Sequence, residues 1–338
     1  MRYYNRHRLT RLLYSLFSVP CTLITAPAGF GKTRTAAAFL QRRRGVRHLW
    51  FRFHTGESEQ NAWDRFVRES GLPGWPLPGS PIEAWPFLAD ISVRLRELTI
   101  LALDNCDAIP PGRIDGLLAC LLSALPEHLR VIVLARERPR FAEDALVFSE
   151  RCLWIDGRDL AFTQAEAGDF FLVNRLPYRE EIWEQTRGWP GLLCGYMDNL
   201  CAQPPDASAW LQRELIAPLA PGLRSAFLQL ALPEEFAEDE APALTQCRKA
   251  GWLVDRLVRD CLLERELGLC RMHPMVRAAA FDWLENDAGG RNGCFSPAKA
   301  DPIPPLPVPR TLRQPPGRSG QPPRRPPDRP RAGGGLPL

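Results

Sequence analysis

Lysine is almost missing from this chain: of its 43 Lys and Arg residues, only Lys32, Lys249 and Lys299 are lysine. So strong a bias toward arginine makes any surviving lysine a position to account for, because the compact ammonium and the planar guanidinium are not interchangeable. Paired cysteines are missing too. The ten cysteines are scattered singly, with no C-x-x-C, which argues against a zinc site or a disulfide framework and for small apolar residues in a reducing compartment. No run reaches the ~20 apolar residues a membrane helix needs. Early charges stand at Arg2, Arg6 and Arg8, but the apolar residues among them recur helically, so a cytoplasmic protein without membrane contact is expected. No period of roughly 34 residues is present, which excludes a helical-repeat array. A broadly basic surface is absent as well. The net charge of +4 hides a +6 segment at 296–338 and a remainder of −2, so the folded part does not read as a nucleic-acid face.

What is present is an ordinary globular composition, 45% hydrophobic and 24% charged over 338 residues. That is enough for two or three domains with cores of their own. The chain is organised around Thr22-Leu-Ile-Thr-Ala-Pro-Ala-Gly-Phe-Gly-Lys-Thr33. Thr22–Thr25 reads as a buried strand, the small residues after it as a turn, and Thr35–Gln41 as a helix. Strand, turn and helix in that order make a phosphate-binding loop. The turn's N–H groups and the helix N-terminus converge on phosphate, with Ala26, Pro27, Ala28, Gly29, Phe30, Gly31, Lys32, Thr33 and Arg34 as the binding stretch. Lys32 would reach the terminal phosphates and the Thr33 hydroxyl would sit on Mg²⁺. Ala26 stands where the strict pattern has Gly. It narrows the backbone but removes no donor.

Thr99–Leu103 is a continuous apolar run, as in a strand buried on both faces of a parallel sheet. Asp104, just past its end, falls in the crevice where open α/β sheets bind ligands, and is the carboxylate partner of Thr33 at Mg²⁺. Further strands read at His48–Phe53, Arg130–Ala135 and Cys152–Ile155. They alternate with helices at 61–70, 87–98 and 114–125, which predicts a doubly wound parallel sheet. An amphipathic helix at 6–18 precedes them. Residues 71–86, rich in Pro, Gly and Trp, read as a surface loop in which Trp75 and Trp85 cap a core edge. From Thr163 the pattern is helical only. Thr163-Gln-Ala-Glu166 is a capping box, and Pro190 starts a helix that runs to Cys201. After a linker at 202–208, helices read at 209–219, 222–231 and 238–249. Trp252–Glu285 then has the helix, short apolar pieces and helix of a winged-helix domain. Residues 290–338 hold 14 of the 34 prolines and are expected to be disordered. The abrupt change near 290 suggests a reading-frame change or truncation. The expected architecture is thus an α/β P-loop domain (1–160), a helical lid (161–205), a winged-helix domain (206–288) and a disordered Pro/Arg-rich tail (289–338).

Five stretches in order resemble the signal-transducing ATPases with numerous domains, and among them the large LuxR-type regulators of the maltose-regulon-activator kind. They are Arg6-His-Arg-Leu9, Ala26–Thr33, Leu101-Ala-Leu-Asp104, Gly188-Trp-Pro190 and Met272-His-Pro274. The likeness covers roughly residues 6–285. It implies an ATP/ADP switch with Mg²⁺ and nucleotide-dependent self-association, with Arg6 on the adenine side and Pro190 packed on the base or ribose. It further implies Arg136 as a sensor of the γ-phosphate, and His273 as a clamp on the β-phosphate of ADP. Each has a plain structural alternative: a solvated helix face for Arg6, a helix starter for Pro190, a loop-opening Arg136, a core His273. The family usually has a second acid after the Asp104 position; here it is Asn105, an amide that cannot take a proton from water. Asp107 is the substitute within reach in sequence, so Asp104, Asp107 and Arg136 are the candidate catalytic set, and weak hydrolysis at most is expected. The sensor repeats and helix-turn-helix of these regulators are not found, and no DNA-binding element is expected in this chain. Two other readings remain: a P-loop ATPase with steady turnover, and a non-catalytic scaffold with a vestigial loop.

Overall fold

A computed structural model describes residues 4–71, 76–79, 83–94, 97–109, 112–141, 152–199, 207–247 and 249–290. All of them lie in one compact unit, Met1–Asp301; a second unit is Pro302–Leu338. The expectations for Trp75, for most of the 202–208 linker and for the tail from 291 fall outside the described residues, as does the side chain of Trp85.

The chain enters through helix α1 (His7–Tyr14), whose Leu9 and Leu13 are buried, and one tight turn, Ser15–Phe17. Strand β1 (Cys21–Thr25) is buried at every residue and leads into the glycine-bearing loop. Helix α2 (Lys32–Gln41) leaves that loop. There follow β2 (Arg47–Arg52), α3 (Glu59–Glu69), α4 (Ala84–Arg94), β3 (Thr99–Asp104), α5 (Arg113–Ser123), β4 (Leu129–Ala135) and β5 (Cys152–Ile155). The five strands form one parallel sheet in the order β2-β3-β4-β1-β5. Strand β4 lies directly beside the loop strand: Ile24 stands opposite Leu134, and Thr25 opposite Ala135.

Side chains alternate between two cores, as the strand period of two requires. Leu23, Leu101, Leu103, Val131 and Val133 face α3, α4 and α5. Ile24, Ile100, Ala102, Ile132 and Leu134 face the other way, into a core shared with Phe227, Leu253 and Val276 from the C-terminal half. The second half is therefore packed onto the sheet rather than tethered beside it.

That half begins with a short helix α6 (Gly157–Leu160) and continues through α7 (Gln164–Val173), α8 (Glu180–Thr186) and α9 (Pro190–Asn199). The capping box is formed as read: Thr163 Oγ1 accepts from the Glu166 N–H at 3.2 Å, and Glu166 Oε2 accepts from the Thr163 N–H at 3.1 Å. Phe162, Phe170, Phe171, Leu193 and Met197 make a small core of their own. Helix α10 (Ala207–Leu211) passes into a π-helical turn at Gln212–Ile216, and α11 (Pro221–Ala231) follows. The single helix expected at 238–249 is not continuous. Directly after β6 (Phe236–Ala237), the stretch holds a 3₁₀ turn at Glu238–Glu240 and a short α12 (Ala241–Thr245), which stops because Gln246 turns left-handed at φ 52°. Helix α13 (Ala250–Arg259), β7 (Leu263–Glu266), β8 (Leu269–Met272) and α14 (Pro274–Gly290) complete the described chain. The three short strands form an antiparallel sheet in the order β6-β8-β7.

The bend at Gly188 joins α8 to α9. Its φ is +73°, and a Cβ there would lie 2.0 Å from the Phe162 carbonyl oxygen, whose own N–H donates to the Gly188 carbonyl at 2.8 Å. Gly188→Ala is therefore expected to destabilise the protein by about 3 kcal/mol or more. Gly268, at φ +83° but with nothing within 4 Å, should lose only about 1–2 kcal/mol on the same change. Urea denaturation of the two variants measures the contrast, and equal losses would refute the close-contact account.

Candidate nucleotide site

The loop between β1 and α2 turns twice through left-handed backbone, at Gly29 (φ 80°) and Gly31 (φ 76°), conformations that a side chain disfavours. Ala26, Pro27 and Phe30 are buried. Ala26, in place of the usual glycine, continues the strand pairing, its N–H donating to the Ala135 carbonyl at 3.3 Å. Lys32 opens α2 and folds back across the loop, donating to the Ala26 carbonyl at 2.6 Å and to the Pro27 carbonyl at 3.0 Å. Burial pulls its pKa down to about 8, against the nearby Asp107 and Asp104 charges that favour the ammonium. A half-buried cation whose side-chain partners among the described residues are carbonyl dipoles is a group that an anion would stabilise.

Thr33 Oγ1 donates to Asp104, 3.0 Å from Oδ1 and 3.3 Å from Oδ2. Asp104 closes β3 as its last residue, 4% exposed, whereas the sequence placed it one step beyond the strand. Its Oδ1 also accepts from the Asn105 N–H at 2.9 Å, and Arg52 lies 3.9 Å from Oδ2. A hydroxyl and a buried carboxylate side by side at a helix N-terminus are hard oxygen donors of the kind Mg²⁺ takes beside phosphate. The residues thus fit both a nucleotide phosphate tail and its ion.

The other acidic candidate is differently engaged. Asp107 accepts from the Arg136 N–H at 2.8 and 2.7 Å and from the Glu137 N–H at 3.2 Å. Its carboxylate caps the end of β4. Asn105 sits left-handed at φ 59° and gives its amide to the Phe53 carbonyl at 2.9 Å, tying β3 to β2. Arg136 follows β4 directly, and its guanidinium pairs with Glu214 at 3.2 Å on the π-helical turn. A cavity of about 120 Å³ opens beside Pro27 and Ala28, walled in part by Arg136, Glu214, Arg256 and Asp260.

Above the loop lies an aromatic stack that the sequence did not announce. Trp189, fully buried, donates its Nε1–H to the Ala28 carbonyl at 3.2 Å and packs on Phe30 at 4.7 Å between centroids. Trp210 meets Trp189 edge to face at 6.0 Å. A Cβ added at Gly29 would fall 2.8 Å from the Trp210 ring and 3.0 Å from the Trp189 nitrogen. Pro190, buried, begins α9, and Gly191 next to it would set a Cβ 3.1 Å from the Gly29 backbone. Trp189 could have been found from its place in Gly188-Trp-Pro190. Trp210 and Glu214 carry no local signal, since an aromatic and an acid on a helix are commonplace.

His273 stands behind this stack, 2% exposed, its ring 5.8 Å from Trp189. Nε2 pairs with the Thr186 carbonyl at 3.1 Å, and Nδ1 is buried with no hydrogen-bond partner. Arg6 lies where α2 meets the segment that leads into α7, beside the Phe162 ring that packs next to Gly188. It is 5% exposed, donates to Thr35 Oγ1 at 3.0 Å and to the Leu160 carbonyl, and lies 4.5 Å over the Phe162 ring. Arg34, on the first turn of α2, is exposed. The structure therefore gathers Lys32, Thr33 and Asp104 into one cluster, joins His273 to the loop through Trp189, and turns Asp107 and Arg136 to structural partners.

No protein-family model matches the chain. The HTH-type transcriptional regulator MalT of Serratia proteamaculans is 23% identical over 314 residues, 86% of this chain and 34% of that protein. The protein of that name from Cronobacter sakazakii is 27% identical over 180 residues, 49% of this chain and 20% of its own length. The chain thus spans about a third of the length of the first of these relatives and less of the second. A Walker-type ATPase of Pyrococcus abyssi has a similar fold, with a TM-score of 0.55 at 17% identity, over 82% of this chain and 96% of that one. The chain is thus similar in sequence to part of these MalT regulators and shares the fold of the Walker-type ATPase. No described helix is long and apolar enough to cross a membrane.

Burial lowers the His273 pKa to about 4, and the Arg187 charge adds to it, while the Thr186 carbonyl opposes. The imidazole is thus neutral in the fold, and the unfolded chain takes up the proton first, near the ordinary 6.5. Stability should therefore rise with pH between about 4 and 6.5, a contribution of roughly 2–3 kcal/mol that is lost on acidification. Burial raises the Asp260 carboxyl pKa, which slopes the other way, so the informative quantity is the difference between wild type and His273→Gln. Urea midpoints at pH 7 and pH 4.5 should converge for the pair at the lower pH. Parallel profiles would contradict the neutral, buried assignment.

Proposed function

We propose that this chain is a nucleotide-operated switch, the ATP/ADP-binding core of a LuxR-type transcriptional regulator working in the cytoplasm. The observation that carries the reading is the preassembled cluster at the root of α2. There Thr33 and Asp104 are hydrogen-bonded at 3.0 Å beside a half-buried Lys32 that donates to loop carbonyls. A triphosphate would exchange those carbonyls for its own oxygens, and Mg²⁺ would be held by Thr33 with Asp104 beside it, neutralising the phosphate charge.

Binding is favoured over turnover. Asn105 offers no base, and Asp107 is taken up by three main-chain donors. The helices after residue 160 and the small antiparallel sheet, read as a lid and a winged-helix domain, act as the moving parts. In the ADP form the loop, Trp189 and His273 hold together as a closed monomer. ATP favours an opened, self-associating form, with Arg136 released from Glu214 toward the third phosphate. A ligand can shift that balance only by its difference in affinity for the two forms.

Lys32→Ala is expected to weaken ATP binding roughly 100-fold or more, since the charge-assisted contacts are lost. Titration calorimetry measures this, and an unchanged affinity would end the nucleotide reading. His273→Ala should weaken ADP more than ATP if it clamps the closed form. Equal losses for the two nucleotides would leave the site intact and remove the clamp.

A further inference from the structure

At the opposite end of the sheet from the loop, two thiols stand side by side. Cys21 is the first residue of β1 and Cys152 the first of β5, and the parallel register sets them directly opposite each other. Paired positions on neighbouring strands point to the same face of the sheet, with the chains about 4.7–4.9 Å apart. That separation lies within the roughly 4.4–6.8 Å between Cα atoms that a disulfide spans. Both belong to the side-chain cluster on the same face of the sheet.

The two sulfurs are unequal. Cys21 is 1% exposed, whereas Cys152, on the edge strand, is half-buried. The neighbouring Cys21 thiol lowers the Cys152 pKa against the effect of burial, with the Leu23 backbone and the Arg138 charge also favouring the Cys152 thiolate, while the Cys152 sulfur and burial raise the pKa of Cys21. An accessible thiol inclined to ionise beside a shielded one is the division of labour of a reactive and a resolving cysteine.

We propose that Cys21 and Cys152 form a redox-responsive dithiol that a peroxide converts into a disulfide across β1 and β5. The Cys152 thiolate attacks one oxygen of hydrogen peroxide, the O–O bond breaks, and the departing hydroxide takes up the thiol proton as water. Cys152 is left as a sulfenic acid. The Cys21 sulfur then forms the S–S bond, and the sulfenic oxygen leaves with the Cys21 proton as a second water. Two thiols and one peroxide thus give one disulfide and two waters, with two electrons passing from sulfur to oxygen. A small thiol reverses the reaction by exchange. The crosslink would pin the edge strand to the strand that feeds the loop, adding to the Trp154 Nε1–H bond to Thr25 at 3.0 Å.

The test uses the purified full chain, reduced, freed of reductant, exposed to hydrogen peroxide, alkylated and digested with trypsin without reduction. Cys21 and Cys152 fall in peptides 12–32 and 152–158, each with a single cysteine. The expected result is the two peptides joined, about 2 Da below their summed mass, and separated by dithiothreitol. Cys152→Ser, at the half-buried edge position, should abolish the joined species. In Cys21→Ser, Cys152 should instead advance to sulfinic acid, about 32 Da heavier. Recovery of both wild-type cysteines alkylated after peroxide treatment, or of Cys152 joined to another cysteine, would overturn the proposal.

Discussion

The Lys32 ammonium lies among main-chain carbonyls with little access to water, a placement that lowers its pKa to about 8. Charge placed so is tolerated only where something repays the lost hydration. Here the repayment without a ligand is partial, through the Ala26 and Pro27 carbonyls and the diffuse effect of Asp104 and Asp107. The rest of the architecture follows from keeping that arrangement open. β1 and β4 supply a rigid floor, the left-handed glycines shape the rim, and α2 fixes Thr33 against Asp104. The geometry of the loop is thus set by the sheet on which it stands.

The second half of the chain is joined to that floor in two ways that differ in character. One is apolar and continuous: a single core runs from Ile24 and Leu134 through Trp189 to Phe227 and Val276. The other is ionic and lies nearer the surface, Arg136 with Glu214 and Arg256 with Glu137. Exposed ion pairs contribute little and exchange readily. The ionic contacts can therefore exchange while the apolar layer stays packed.

Much of this was legible in the residues. The strands showed as aliphatic runs because both faces of a parallel sheet are covered, and the loop showed because its glycines and its lysine serve backbone shape and charge. The capping box at Thr163 was readable because its two hydrogen bonds are local. Three features were not. The break of the 238–249 helix depends on Gln246 taking a left-handed turn that no residue type announced. The fate of Asp107 depends on where the end of β4 arrives, a contact 29 residues away in sequence. Trp210 over Gly29 is a long-range packing choice, to which local pattern is blind. Sequence periodicity reports what a residue does to its neighbours four places off, and these three depend on tertiary geometry.

Two bare backbones meet where the first turn of α9 reaches the loop. A Cβ on Gly191 would stand 3.1 Å from the Gly29 main chain, and one on Gly29 would strike the indole of Trp210. The approach of α9 to the loop is consequently set by two residues without side chains, next to the Trp189 indole that packs on Phe30. A methyl group at Gly191 would press the first turn of α9 off the loop, and one at Gly29 would press on the Trp210 ring.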